Sequence, residues 1–160
     1  IVMGLNQGMQ PIAGYNFGAK LYGRVNKVLR LTIIYATAVT TFGFLVGMLV
    51  PDLVVGIFTS DAELTELSVT GLRITVMFFP IIGFQMVTSN FFQSIGMAGK
   101  AIFLSLTRQM LILLPCLLVL PQFFGVAGVW YSMPVSDLLA SLIALVMLVC
   151  QFRKFRTSPL

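Results

Sequence analysis

The chain has 160 residues, of which 58% are hydrophobic and 9% charged, with a formal net charge of +5 and no histidine. With a mean hydropathy of +1.00, this composition excludes a water-soluble domain, whose exterior could not cover so much hydrocarbon with so few charges. The ten bases are divided among several connections rather than gathered on one face, so they point to membrane sidedness and anionic headgroups rather than to nucleic acid.

In chain order, residues 1–15 are apolar but cover only about 22 Å of a hydrocarbon core about 30 Å thick. The chain opens with Ile rather than Met, and this stretch reads as the end of a truncated transmembrane helix, the whole being expected to be a fragment. It has neither the basic start nor the small-residue cleavage pattern of a signal peptide. Residues 16–30 read as a basic cytoplasmic connection, with Lys20, Arg24, Lys27 and Arg30 and no acid. Spans are expected at 31–50, 68–95, 101–120 and 127–150, since about 20 apolar residues suffice to cross. Leu and Phe dominate them without strict alternation, which favours helices over a barrel. The expected fold class is therefore an all-α membrane protein, a polytopic transmembrane helix bundle.

Between the first two spans lie Asp52, Asp61, Glu63 and Glu66. Within that acidic connection, Thr59 or Ser60 with Asp61 and Glu63 has the composition of a helix N-terminus, the next helix starting near Ala62. The third connection carries Lys100, with Arg108 just beyond. The fourth, 121–129, is uncharged, and the tail, 151–160, holds Arg153, Lys154 and Arg156. Bases along the five connections number four, none, two, none and three. Positively charged loops stay cytoplasmic, so this order places the C-terminus in the cytoplasm.

Asp137 lies near the middle of the last span. An acid at that depth costs about 2.5 to 3.5 kcal/mol on insertion scales, so it is expected to face the bundle. Pro134, Asp137, Ser141 and Ala144 share one helix face, while Leu138, Leu142 and Leu145 share another. Two readings stay open: binding of a proton, ion or cationic compound, or an acid that is neutral or Arg-paired and joins two helices. Arg73 and Arg108 are expected to snorkel to the outer and inner interfaces. Gln85, Thr88, Ser89 and Gln93 occupy an arc of about 140° below Pro80 in what reads as one helix. That polar stripe either lines a cavity or hydrogen-bonds between packed helices. No catalytic constellation or metal-spacing motif is present, and no cofactor is expected. Cys116 and Cys150 fall near opposite faces of the membrane, too far apart for a disulfide.

The string Gln10-Pro11-Ile12-Ala13-Gly14-Tyr15-Asn16-Phe17-Gly18-Ala19-Lys20 is the most specific in the chain. Bottom-up, Pro11 is expected to interrupt the helical ladder, Gly14 and Gly18 to permit close backbone approach, and Asn16 to cap the helix end. The string resembles the Q-P-[IL]-x-G-Y-N-x-G-A sequence of bacterial multidrug and toxic compound extrusion (MATE) transporters. Phe92 to Lys100, Leu106 to Gln109, Leu114-Pro115 and Gly125 to Trp130 with Pro134 are similar to the family's later motifs in the same order. The resemblance implies the second half of a twelve-helix transporter, with a first lobe missing here. It implies export of amphipathic or cationic compounds from the cytoplasm across the inner membrane, in exchange for H⁺ or Na⁺. The Na⁺-coupled branch places a carboxylate near Thr88, where this chain has none. Alternatives are a flippase for lipid-linked oligosaccharide, expected to line its cavity with several bases, and a non-transporting membrane scaffold.

Overall fold

The computed structural model describes the backbone of residues 1–59 and 61–157 and the side chains of 1–59 and 61–153. These form helices throughout. α1 is Val2–Gly18, α2 is Tyr22–Leu49, α3 is Pro51–Gly56, α4 is Ala62–Val76 and α5 is Phe79–Ser94. α6, Ala98–Leu106, runs through a π-helical segment, Thr107–Leu113, into α7, Leu114–Phe124, and α8 is Val126–Thr157.

α1 continues through Pro11, whose ring lies on the exposed side. The interruption of the ladder is confined to the one bond that Pro11 cannot donate, and the remaining bonds carry the helix past it. Its end is closed by backbone rather than by the Asn16 side chain. Lys20 N–H donates to the Phe17 carbonyl at 3.0 Å and Leu21 N–H to the Asn16 carbonyl at 2.9 Å, with Lys20 in the left-handed region at φ 58°. That is a Schellman closure. The Asn16 amide instead folds back to donate to the Ile12 carbonyl at 2.8 Å.

The connection expected over 16–30 shrinks to Ala19–Leu21, because α2 begins at Tyr22. Hydropathy marks where a helix leaves hydrocarbon, whereas the backbone ladder continues into the headgroup layer. Arg24, Lys27 and Arg30 are therefore exposed on the first turns of α2. The same reasoning extends the last span: α8 runs on to Thr157, through most of the expected tail. Lys154 and Arg156 lie outside the described side chains.

α4 starts where expected. Asp61, in extended conformation, accepts from the N–H groups of Glu63 and Leu64 at 2.9 and 3.2 Å, with Glu63 in the first turn and Arg73 in the last. Ser60, the alternative start signal, lies outside the described residues. The single span expected over 68–95 is broken: α4 and α5 meet at 50°. Pro80 sits in the first turn of α5 and cannot donate to the carbonyl of Val76, the last residue of α4.

α5 packs against α1, α2, α6 and α8 and is the centre of the bundle. The core joins Met9 and Ala13 of α1, Val25, Leu29 and Ala36 of α2, Val87, Phe91 and Phe92 of α5, and Ala144 and Leu148 of α8. Close approach is set by small residues. A Cβ on Gly83 would stand 2.9 Å from the Ala36 carbonyl oxygen, and one on Gly14 would stand 2.8 Å from that of Ser94. Gly18 has no such neighbour, so of the two motif glycines only Gly14 serves close packing. By length and composition three helices among the described residues can cross a membrane, or four counting the bent pair as one span. Phe42, Leu45, Leu118, Phe123 and Val146 are exposed on them, as lipid-facing side chains require.

Candidate functional site

α8 turns its small and polar face inward: Ser132, Pro134, Ser136, Asp137, Ala140, Ser141 and Ala144 are buried, while Leu142 and Leu145 are exposed. Asp137 is 5% exposed, facing the bundle as its insertion cost demands. Its Oδ1 accepts from Arg108 Nε at 2.8 Å in an ion pair. Arg108 therefore does not snorkel to the inner interface. It reaches across to α8, because a carboxylate left alone in an apolar bundle costs several kcal/mol more than a paired one.

Arg108 belongs to the π-helical segment, where Leu114 N–H donates to the Gln109 carbonyl five residues back. The wider turn accommodates an extra residue between α6 and α7. Arg108 also lines a polar cavity of about 220 Å³. Gln85, Met86, Ser89 and Asn90 of α5 line one wall, and Ser105, Arg108 and Gln109 line the other. The Ser89 hydroxyl lies 3.2 Å from that of Ser105 and donates to the Ala101 carbonyl at 3.3 Å. Asn90 donates to the Met86 carbonyl at 2.9 Å and accepts from Gln10 at 3.1 Å, so the motif glutamine of α1 braces this wall.

The stripe expected on α5 is thus split. Gln85 and Ser89 reach the cavity, whereas Thr88 is 0% exposed, with its hydroxyl donating to the Phe84 carbonyl at 2.8 Å in the packed core. Gln93 is exposed at the helix end, away from the cavity wall. An arc of about 140° is wider than one cavity mouth: Thr88 stands about 100° from Ser89 on the wheel. Of the motif residues, Gln10 and Gly14 make the interhelical contacts described above. Tyr15 is 78% exposed, Pro11 lies within α1, and Asn16 and Gly18 are in its last turn.

Asn90, Ser105 and Gln109 join the site beyond the residues that sequence reasoning singles out. Asn90 lies past the edge of the stripe, and its bond to Gln10 spans 80 positions, a separation no local pattern encodes. The Arg108 pairing has a signal: a buried acid at mid-span requires a base at matching depth. Two buried hydroxyls have no hydrogen-bond partner, that of Thr107, adjacent to Arg108 in sequence, and that of Ser141, four residues after Asp137. Such groups hold unused hydrogen-bonding capacity. Arg73 is exposed in the last turn of α4, with the bend just beyond it. Among the described residues no His, Cys, Asp or Glu cluster could hold a metal ion, and Cys116 and Cys150 are free thiols.

The family model described as MatE matches residues 1–119. The chain is 26% identical over 145 residues to Multidrug export protein MepA of Staphylococcus aureus (strain MSSA476), covering 91% of this chain and 32% of that protein. Against Multidrug export protein MepA of Staphylococcus saprophyticus the identity is 22% over the same coverage. Among solved structures, the MATE multidrug transporter DinF-BH is 36% identical with a TM-score of 0.90, over 98% of this chain and 35% of that one. The Vibrio cholerae MATE transporter VcmN in the bent form, 20% identical with a TM-score of 0.86 over 96% of this chain and 35% of that one, shares the fold. The chain spans about a third of the length of these relatives.

Proposed function

The chain belongs to the MatE family of multidrug efflux transporters, and from that premise we propose that it forms one lobe of a cation-coupled antiporter. In this reading it exports amphipathic or cationic small molecules across the cytoplasmic membrane, and the other lobe of the transport unit completes the pathway. The observation that carries the reading is the Arg108–Asp137 pair beside a polar cavity in an otherwise apolar bundle. A cation that reaches Asp137 competes with the Arg108 guanidinium for the same carboxylate. Arg108, its side chain 32% exposed, then swings toward the amide and hydroxyl groups of Gln85, Ser89 and Gln109.

H⁺ is the coupling ion this arrangement favours. α5 carries no acid, and Thr88, at the position where the Na⁺-coupled branch has a carboxylate, is sealed in the core with its hydroxyl committed to Phe84. A flippase reading finds less support, since Arg108 is the one base lining this cavity among the described residues. A second reading does have an observation behind it: the 2.8 Å Arg108–Asp137 bond could serve only to join α8 to the π-helical segment.

Gradient-driven drug efflux in membrane vesicles, with the whole transport unit present, separates the two. If Asp137 carries the coupling cation, Asp137→Asn abolishes coupled export at normal expression, because the amide keeps shape but cannot ionise. If it only joins helices, Asp137→Leu lowers expression and export together while Asp137→Asn leaves transport near normal. Full transport by Asp137→Asn with an unchanged pH dependence overturns the proposed role.

A further inference from the structure

A second cavity, of about 650 Å³, lies between the first half of α2 and the end of α8. α2 supplies Tyr22, Asn26, Leu29, Arg30, Ile33 and Ile34, and α8 supplies Phe152. These α2 positions recur at three- and four-residue spacing and so form one continuous helix face. The face is graded along its length: Tyr22, Asn26 and Arg30 are polar and nearest the α1–α2 turn, while Ile33 and Ile34 are apolar and deeper.

Helix length places this gradient in the membrane. α2 has 28 residues, about 42 Å at 1.5 Å per residue, about 12 Å more than the hydrocarbon core. At its far end the chain passes directly into α3 through Pro51, so the surplus falls at the Tyr22 end. Arg30 is eight residues into the helix, a rise of about 12 Å, which puts its guanidinium at the boundary between headgroups and hydrocarbon.

The charge there has one sign. Residues 1–51 contain no acid; Arg24 and Lys27 are exposed on the same turns of α2 as Arg30, and no described carboxylate comes within ion-pair distance of any of the three. A protein segment filling this groove would have to bring an acid to the boundary at a cost. The leaflet supplies a phosphate at that depth already joined to an acyl chain, and basic pockets between helices on the cytoplasmic side suit anionic headgroups.

We propose that this groove is a binding site for one anionic phospholipid. Its phosphate accepts from Arg30 and from the Asn26 amide, and an acyl chain lies along Leu29, Ile33, Ile34 and Phe152. The assignment to the cytoplasmic leaflet rests on the sidedness expected from the order of basic connections; the site itself does not. A lipid so held ties the start of α2 to the end of α8.

The test is native mass spectrometry of the protein released from nanodiscs of phosphatidylcholine alone or mixed with phosphatidylglycerol. One phosphatidylglycerol is expected to be retained in preference to phosphatidylcholine. Arg30→Gln should lower that retention about tenfold, the scale of one charge-assisted hydrogen bond, while Arg30→Lys keeps most of it. Arg24→Gln, which removes an equal charge outside the groove wall, should leave it unchanged, and glycerol 3-phosphate, a headgroup without chains, should not compete. Equal loss in Arg24→Gln and Arg30→Gln would mean a diffuse surface field and overturn the site. Equal retention of both lipids would overturn it too, as would a folded protein that retains neither, which would mean that polypeptide fills the groove.

Discussion

Asp137 and Arg108 stand 29 positions apart, and their environments are unequal. The carboxylate is buried in the bundle, whereas about a third of the arginine side chain reaches solvent or lipid. Removing either partner should therefore have different consequences for stability. Arg108→Gln leaves a buried acid without its base and is expected to destabilise by about 3 kcal/mol, near the lower end for broken buried pairs. Asp137→Asn leaves an arginine that can reorient outward and should cost less. The double variant should recover most of the Arg108→Gln loss, since two neutral amides no longer bury a charge. Thermal unfolding in detergent checks the cycle, and additive losses would show that the two side chains do not interact. At this scale the sequence is partly legible. The depth of Asp137 in an uncharged stretch predicts an inward face, and the small residues at Ser141 and Ala144 agree. The choice of Arg108 as partner depends on how two helices are placed against each other, which no helical wheel contains.

The helices themselves follow from local rules, and the differences from expectation occur where two local rules compete. Pro80 and Pro11 carry the same missing donor, yet only Pro80 coincides with a break, because it falls at a helix start where the lost bond costs little. Hydropathy does not tell the two apart. The π-helical turn is likewise invisible in the sequence, since it depends on backbone register rather than on composition. Helix ends give a sharper contrast. α5 closes with Gly96 at φ 77°, its N–H donating to Gln93 and that of Met97 to Phe92, the same closure that α1 makes with Lys20 at φ 58°. A side chain in the left-handed region costs about 1 to 2 kcal/mol. Gly96 has open space around it, so Gly96→Ala should destabilise by about 1 kcal/mol through backbone strain alone. Lys20→Gly should gain less than that, because glycine's greater freedom in the unfolded chain offsets part of the relief. Paired melting curves would read both; a neutral Gly96→Ala would mean that this turn relaxes to another conformation.

Across the whole molecule, the alternation of charge and the geometry of the helices make one joint statement about sidedness. α1 ends and α2 begins among Lys20, Arg24, Lys27 and Arg30, while α2 ends and α4 begins among Asp52, Asp61 and Glu63. α2 is long enough to separate these clusters by the full membrane thickness. The bent pair returns the chain to Lys100, and α6, the π segment and α7 carry it back to the uncharged turn at Gly125. α8 then ends beside Arg153, on the side of the first basic cluster. This order is readable without a structure because each connection's charge is local, whereas the packing of α5 at the centre is not, since Gly83 and Ala36 meet across 47 positions. The expected outcome is that, with Cys116 and Cys150 replaced by Ser, Gly23→Cys reacts with an impermeant thiol reagent only from the cytoplasmic side. Asp61→Cys should react only from the opposite side. Gly23 has no neighbour within 4 Å of its Cβ position and Asp61 is exposed, so neither substitution disturbs packing, and loss of the Asp61 cap costs about 1 kcal/mol. Labelling of both from one side would mean that α2 does not span. Arg30 would then no longer stand at the headgroup boundary, and the Arg108–Asp137 pair would no longer lie between two aqueous compartments.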